Sequence, residues 1–187
     1  MDRIHAAFFR GSPVACARDL IGHRFFWNGC VGRIVETEAY DAADDPACHT
    51  WVRPSARAFV ATYQAGDAYV YLNYGTHWLF NILVKGPGAC GFVLFRALEP
   101  VAGQDLMRER RGNASDATLA AGPGRLTRAF GIDGSAHGVS FLNTQNCGIL
   151  ADQPVASRAG PRIGISRASD RLWRFGDPES ASLSRKF

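Results

Sequence analysis

The feature that most constrains the fold is a pair of apolar, β-forming runs joined by Asn28-Gly29. The runs cover residues 24–27 and 30–37. Asn-Gly is the pair favoured in tight type I′ turns, so an antiparallel hairpin is predicted here. If the second strand stays extended, its side chains alternate between the two faces of the sheet. One face then carries Ile34, Glu36, Glu38 and Tyr40.

Other segments predict short helices and further antiparallel strands. Ser12-Pro13, with Gly22 behind the apolar spacing, favours a capped helix. Further helices are expected over 101–111 and 123–130, and strands over 68–74, 77–84, 91–98, 148–151 and 163–166, whereas 41–57 is interpreted as a long loop. We therefore predict an α+β fold, with residues 1–187 forming a single compact domain. Its mostly antiparallel, curved sheet would carry flanking short helices and a protruding β-hairpin, with Tyr74 at the hairpin turn.

Length and composition favour an ordinary globular protein with 47% apolar and 20% charged residues. The longest apolar stretch, residues 78–84, is far shorter than the roughly 20 residues that span a bilayer. The first twelve residues lack the apolar centre of a signal peptide, so an intracellular location is expected, without membrane association. Five scattered cysteines without a CxxC pair favour neither a disulfide framework nor a zinc site, and no metal is expected.

The charge balance is modest support for a polyanionic partner. The formal net charge is +4, and 19 of the 21 basic residues are arginine, because Lys85 and Lys186 are the two lysines. The arginine fork suits phosphate, although a genome rich in G and C also favours arginine codons. Basic residues are concentrated in segments 108–128 and 158–187, whereas acidic residues dominate 36–67.

The acidic segment contains the candidate chemistry. A buried carboxylate such as Glu38 could activate water for glycosidic bond cleavage and stabilise the positive charge that develops on the sugar. The alternative is that Glu36 and Glu38 are solvated residues on an exposed face of the sheet. Aromatic side chains near the carboxylates would suit a pocket for an extruded base. They are Tyr40, His49, Tyr69, Tyr71 and Tyr74. The alternative is that the alternating pair Tyr69 and Tyr71 lies on the sheet surface, as such pairs usually do. Because lysines are so few, water is favoured over an amine nucleophile.

Five short segments, in this order and spacing, resemble the alkyladenine (3-methyladenine) DNA glycosylases. They are Arg33-Ile34-Val35-Glu36-Thr37-Glu38-Ala39-Tyr40, Tyr69-Val70-Tyr71 with Tyr74-Gly75, Arg96-Ala97-Leu98-Glu99-Pro100, Gly122-Pro123-Gly124-Arg125-Leu126-Thr127 and Pro161-Arg162-Ile163-Gly164-Ile165-Ser166. The resemblance extends over about residues 15–175. It departs from the family at 54–59, where a basic Arg-Asn segment is common, and at 172–176, which is shorter than the family's strand.

The resemblance implies a site for hydrolysis of a damaged nucleotide. Glu38 would be the general base, and Arg96 and the backbone near His49 would help to hold the attacking water. Tyr40 and His49 would stack on one side of the flipped base, and Tyr71 would close the other. Glu36 would be a supporting residue, and the family needs no metal or organic cofactor.

The resemblance also implies how DNA would be engaged. Tyr74 would wedge into the duplex, and Asn81 would clash with the exocyclic amine of normal guanine. The partner would be double-stranded DNA with a damaged purine of the 3-methyladenine, 7-methylguanine, hypoxanthine or ethenoadenine class, bound by a monomer. Candidate contacts to the DNA backbone are Arg57, Arg125, Arg162 and Arg167.

Two other functions remain open at this stage. A hydrolase of free nucleosides could use the same carboxylate and aromatic pocket, but it would need neither Tyr74 nor the basic segments. A non-catalytic module for damaged DNA would need the aromatics but not Glu38.

Overall fold

Strands of one antiparallel sheet form the centre of the computed structural model, which describes residues 2–112 and 114–187. The strands are β1 (Arg24–Trp27), β2 (Cys30–Asp41), β3 (Ala68–Asn73), β4 (His77–Gly86), β5 (Ala89–Ala102), β6 (Cys147–Leu150), β7 (Arg158–Gly160) and β8 (Arg174–Gly176). The path is β3-β4-β5-β2-β1-β6, and β8 pairs with both β2 and β7. The helices are α1 (Pro13–Asp19), α2 (His49–Val52), α3 (Pro54–Thr62), α4 (Gln104–Arg111), α5 (Asp116–Leu119) and α6 (Pro123–Phe130), with 3₁₀ turns at Ala6–Arg10 and Gly134–Ala136. The predicted α+β class with a curled antiparallel sheet is confirmed.

Local signals in the sequence account for several element boundaries. The Ser12 hydroxyl accepts a hydrogen bond from the Val14 backbone N–H at 3.2 Å, which caps α1 as predicted. Asn28 and Gly29 have φ values of 43° and 84°, as a type I′ turn requires, and join β1 to β2. Gly131, with φ of 67°, ends α6 in the left-handed conformation.

Three predicted elements were wrong. Residues 41–57 are not one loop, because α2 forms there and Pro54 opens α3, with Ala56 and Phe59 facing the core. The strand predicted over 91–98 runs instead from Ala89 to Ala102, so α4 begins at Gln104 rather than at 101. Pro100 is tolerated because it lies beside a register shift, where a missing N–H costs less.

Residues 163–166 do not form the predicted strand. The Ile163 N–H donates to a side chain instead of a neighbouring strand, and Gly164 turns the chain with φ of 78°. The last strands are instead the three-residue β7 and β8. This arrangement places an irregular backbone segment against the carboxylate face of β2.

The core is built mainly from phenylalanine and aliphatic side chains beneath the sheet. Phe25 packs against four other rings at centroid distances of 5.1–5.5 Å: Phe80, Phe95, Phe130 and Phe141. A smaller cluster around Phe59, Tyr69 and Phe92 supports the aromatic residues at the other face. Within the described residues, no helix is both long and apolar enough to cross a membrane.

Candidate active site

Two buried carboxylates from β2 lie around one arginine from β5. Glu36 and Glu38 are both completely buried, and Arg96 is nearly so. The Arg96 Nε donates to Glu36 Oε1 at 3.0 Å, and Nη1 lies 3.4 Å from Glu38 Oε1. Glu36, Glu38 and Tyr40 share the predicted face, but Ile34 packs in the main core instead, because a register shift between Ile34 and Glu36 interrupts the alternation. The Arg96 guanidinium therefore pairs with both buried carboxylates.

Glu38 has partners on both carboxylate oxygens. The Ile163 N–H donates to Oε1 at 2.7 Å, and the Tyr40 hydroxyl donates to Oε2 at 2.8 Å. Burial raises the pKa of Glu38, although Arg96, the Ile163 N–H and the Tyr40 hydroxyl each lower it in part. A carboxylate with a raised pKa is a better proton acceptor than an ordinary glutamate, as a general base requires.

Glu36 differs because its hydrogen-bonding capacity is used by the protein. Besides Arg96, its oxygens accept from Arg174 Nη1 at 3.2 Å, from the Ser184 N–H at 2.6 Å and from the Ser184 hydroxyl at 2.8 Å. These donors come from β8 and from the last residues of the sequence. Glu36 is therefore suited to hold other groups in place rather than to accept a proton.

A cavity of about 880 Å³ opens beside this cluster. Its walls include Tyr40, Arg96 and Ile163, the three residues that contact Glu38. The Glu38 carboxylate lies immediately behind them. Water that reaches Glu38 from the cavity must pass between these groups.

Aromatic residues from α2 and β3 line the cavity. His49 Nδ1 lies 3.2 Å from the Tyr69 hydroxyl, and the His49 ring meets the Tyr71 ring at 4.4 Å between centroids, inclined by 64°. The Arg53 guanidinium covers Tyr71 at 5.1 Å. Burial, with a smaller contribution from Arg53, lowers the pKa of His49 to about 4. The imidazole is therefore neutral at neutral pH and can stack on a cationic ring without repulsion.

The space between His49 and Tyr71 is too narrow for a base. A planar ring stacked on both sides needs about 7 Å between its neighbours, twice the optimal carbon–carbon separation of about 3.5 Å. The two rings are in direct contact at 4.4 Å. One of them must move before a base can lie between them.

Asn81 lies at the cavity wall on β4. It is nearly buried, and its Nδ2 donates to the Tyr69 carbonyl at 3.1 Å. This contact fixes the amide, so a ligand group that meets it faces a side chain with little freedom to move away.

Tyr74 occupies the tip of the β3–β4 hairpin. The Thr76 N–H bonds the Asn73 carbonyl at 3.1 Å, and the two central residues, Tyr74 and Gly75, have φ of 49° and 70°. Positive φ is unfavourable for a bulky residue such as tyrosine. The side chain is 90% exposed. An exposed aromatic in a strained turn is a candidate for contact with a ligand.

Comparison with known proteins gives the family of the chain. The family model described as Methylpurine-DNA glycosylase (MPG) matches residues 7–181. The chain belongs to this family. Relatives carry the name "Putative 3-methyladenine DNA glycosylase": the one from Nitrosospira multiformis is 45% identical over 180 residues, covering 96% of this chain and 92% of the relative. Those from Granulibacter bethesdensis (45%, covering 90% and 81%) and Chlorobaculum tepidum (38%, covering 93% and 87%) are also similar.

Membership makes this chain a DNA glycosylase, a hydrolase of N-glycosyl bonds that acts on DNA in repair. The recognition made from the sequence is confirmed. The residues predicted for the site, Glu38, Arg96, Tyr40, His49, Tyr71 and Asn81, lie around one cavity in this glycosylase. Their individual roles remain predictions.

The arginines predicted to contact DNA lie in different environments. Arg57 is exposed and donates to the Thr50 carbonyl, Arg125 is exposed at the cavity rim, and Arg167 is exposed. For Arg162 the prediction is wrong. Its side chain is completely buried, and its guanidinium pairs with Asp45, with one contact of 2.9 Å, so it is not available to a phosphate.

The glycosylase has further arginines at the cavity that the sequence did not single out. Arg111 lines the cavity together with Arg125. Partial burial lowers the pKa of Arg111, and the positive charges of Arg125 and Arg128 add a smaller contribution in the same direction. Such a cluster favours an anion. Its only signal in the sequence was the concentration of arginine in 108–128.

Contacts made by the last third of the chain were also missed. The Ile163 N–H, the Arg174 guanidinium and Ser184 all touch the two carboxylates, at sequence separations of 125 to 148 residues. The segment around Ile163 was noted as a predicted strand and for its family likeness, and the segment around Arg174 as a departure from the family. Ser184 carried no signal, because a serine near the end of a sequence is ordinary.

The Lys85 side chain lies away from the cavity. Its Nζ donates to the carbonyls of Val60 and Tyr63 at 2.7 and 3.0 Å, and it is not among the residues that line the cavity. Within the described residues, no group of three or more His, Cys, Asp or Glu side chains is arranged to hold a metal ion.

Proposed function

We propose that this glycosylase is monofunctional and excises alkylated or deaminated purines during base excision repair. It flips 3-methyladenine, 7-methylguanine, hypoxanthine or ethenoadenine from duplex DNA. It then hydrolyses the N-glycosidic bond with water and leaves an abasic site. The observation that carries the proposal is the buried Glu38, with its raised pKa, held beside Arg96 behind an aromatic cavity.

Glu38 takes a proton from water while the bond between the sugar and the base breaks. The sugar gains positive charge in the transition state, and a nearby carboxylate stabilises that charge. The electron pair of the breaking bond stays on the purine, which leaves more readily when alkylation has made it cationic. Arg96 holds the attacking water, with the backbone near His49.

The cavity selects the base by stacking and by exclusion. Tyr40, His49 and Tyr71 stack on the purine, and a cationic ring gains additional attraction from aromatic faces. The neutral state of His49 supports this role. Asn81 excludes the exocyclic amine of guanine, which discriminates against a normal base by an unfavourable contact.

Tyr74 fills the space that the extruded nucleotide leaves. Its exposure and its place at the hairpin turn support a wedge that enters the duplex. Arg57, Arg125 and Arg167 contact the DNA backbone. The family resemblance favours action as a monomer.

The first test is base release from a duplex with one hypoxanthine, and from methylated DNA, in EDTA. Wild type should release base and leave the abasic strand uncut. Glu38→Gln should lose about 10²–10⁴-fold in single-turnover rate, the usual contribution of a positioned base, and should still bind the lesion. Glu179→Gln, an exposed glutamate, is the matched control.

Three outcomes would contradict the proposal. Wild-type turnover by Glu38→Gln would exclude the proposed base. Tight lesion binding without release by wild type would favour a binding module. Release from free nucleosides with Tyr74→Ala unimpaired would favour a nucleosidase.

A further inference from the structure

The last residues of the sequence fold back onto the carboxylate cluster. We call residues 182–187 the closing segment. They lie beyond the range 7–181 that the family model matches. Within the segment, Ser184 and Arg185 line the cavity. The proposed site is therefore completed by residues outside the part of the chain that resembles the family model.

Ser184 contacts the cluster through both its backbone N–H and its hydroxyl. The N–H donates to Glu36 Oε2 at 2.6 Å and the hydroxyl donates to Glu36 Oε1 at 2.8 Å. The same hydroxyl accepts from Arg96 Nη2 at 3.1 Å. Arg96 thus has one partner at each nitrogen: Glu36 at Nε, Glu38 at Nη1 and Ser184 at Nη2.

The closing segment is anchored independently of Ser184. Arg174 donates to the carbonyls of Arg185 and Lys186 at 2.9 and 3.3 Å, and its guanidinium lies 3.8 Å from the centre of the Phe187 ring. That ring lies against Gly160 and Gly176, where an added Cβ would come within 2.9 and 2.5 Å of it. Removing the Ser184 hydroxyl should therefore leave the segment in place.

We propose that Ser184 is a positioning residue, which acts through Arg96 to fix the geometry of the Glu38 carboxylate. The inference rests on the proposed function and adds a residue to it. Ser184 touches neither Glu38 nor the reacting atoms. It orients the Arg96 guanidinium, which contacts Glu38. A planar guanidinium bound at all three nitrogens cannot rotate about the side-chain stem.

Loss of the Ser184 hydroxyl should change the pKa of Glu38 in one direction. The ionisable groups that face Glu38 are Arg96 on β5, Tyr40 and Glu36 on β2, and Tyr71 on β3. Among them only Arg96 brings a positive charge, which lowers the Glu38 pKa. If the guanidinium turns away, the pKa of Glu38 rises further, and the rising limb of the pH–rate profile moves to higher pH.

The kinetic test compares Ser184→Ala, Ser184→Thr and Ser180→Ala. Ser180 lies in the preceding turn and contacts Glu99 and Ser182 rather than the carboxylate pair, so it is the matched control. Ser184→Ala should lower the single-turnover rate of hypoxanthine release about tenfold, as expected for loss of a hydrogen bond to charged groups. Its rising pH limb should move upward and lesion-DNA Kd should change less than about twofold. Ser184→Thr should restore both, and Ser180→Ala should match wild type.

A second measurement does not depend on activity. The side-chain carboxyl ¹³C resonance of Glu38, assigned by its absence in Glu38→Gln, gives the pKa of that group in folded protein. Ser184→Ala should raise this pKa, and Ser184→Thr should return it to the wild-type value. If wild type releases no base from any lesion, the proposed function fails, and this titration still decides the role of Ser184.

An unchanged Glu38 titration in Ser184→Ala would overturn the inference, whatever the rate. So would a rate loss that Ser184→Thr fails to restore, because a purely structural serine would behave in that way.

Discussion

Two glutamates one residue apart in β2 have different environments. Glu36 accepts bonds from three side chains and one backbone N–H, whereas Glu38 accepts one backbone N–H and one hydroxyl beside Arg96. Strand alternation predicts that the two carboxylates share a face, but it does not say which is the base. Apart from Tyr40, the groups that set the difference lie more than 50 residues away in the sequence, so only the folded structure shows it.

Glu38 should cost the protein stability at neutral pH. Its pKa is raised in the folded state, so the native protein binds the proton more tightly than the unfolded chain does, and stability falls as pH rises through the interval between the two pKa values. Glu38→Gln should therefore be more stable than wild type at pH 7 and unfold at a higher temperature. The gain should shrink as the pH is lowered toward 4.

Calorimetry of both proteins between pH 4 and pH 8 measures this difference. Glu179→Gln again serves as the control, because that residue is exposed. A Glu38→Gln protein that is less stable than wild type at pH 7 would show that the ion pair with Arg96 outweighs the burial of the carboxylate.

At the scale of the element, turns were the best-predicted features and distant partners the worst. The Asn28-Gly29 turn, the Ser12 cap and the Tyr74 hairpin follow from residues adjacent in sequence. By contrast, the buried pair between Asp45 and Arg162 joins residues 117 apart. Sequence reasoning treated Arg162 as a surface residue because arginine usually is one.

The region after β2 shows why long loops are easily overpredicted. Asp44-Asp45-Pro46 and Arg53-Pro54 look like breaks, and no sustained period joins them. Pro54 instead begins α3, where a proline at the first turn loses nothing. Phe59, one turn later, packs on Tyr63 and Tyr69 and supports the aromatic wall of the cavity.

Changing Tyr74, at the tip of the β3–β4 hairpin, to glycine should slow base release without lowering the stability of the protein. Tyr74 has a positive φ, which costs roughly 1–2 kcal/mol for a residue with a Cβ. Tyr74→Gly removes that strain, offset by the greater freedom of glycine in the unfolded chain. We expect a Tyr74→Gly protein at least as stable as wild type, with at least tenfold slower base release from duplex DNA, about the free energy of one aromatic stacking contact.

Thermal unfolding and single-turnover release from the same hypoxanthine duplex test both parts of this prediction. Tyr63→Phe is a useful comparison, since the Tyr63 ring stacks on Phe59 and does not lie at the hairpin tip. Unimpaired release by Tyr74→Gly would show that the hairpin does not enter the duplex.

At the scale of the whole molecule, positive charge gathers around the cavity. Arg53, Arg111, Arg125 and Arg185 all line it, while Glu36 and Glu38 are shielded behind the wall. The net charge of +4 understates this distribution. A polyanion that approaches the cavity meets arginine first, in line with the segregation of acidic and basic segments along the sequence.

Binding to lesion-containing duplex should accordingly weaken steeply with salt. Each phosphate neutralised contributes about −0.9 to the slope of log Kobs against log salt. Arg125→Ala should make that slope shallower by about 1, whereas Arg162→Ala should act on folding instead, because it leaves Asp45 buried without its partner. Fluorescence anisotropy between 50 and 300 mM salt measures the slope, and a slope near zero for wild type would exclude duplex DNA as the partner.

The contact between His49 and Tyr71 has a consequence for the order of events. His49 lies on a four-residue helix and Tyr71 lies on the edge strand of the sheet, so neither ring is held by the central strands. On the proposed function, an undamaged purine that swings out of the duplex meets two rings in contact and returns to its partner strand. A cationic or deaminated purine that holds the rings apart remains extrahelical for longer. Discrimination between bases then depends on how long each base stays outside the duplex, before any glycosidic bond is broken.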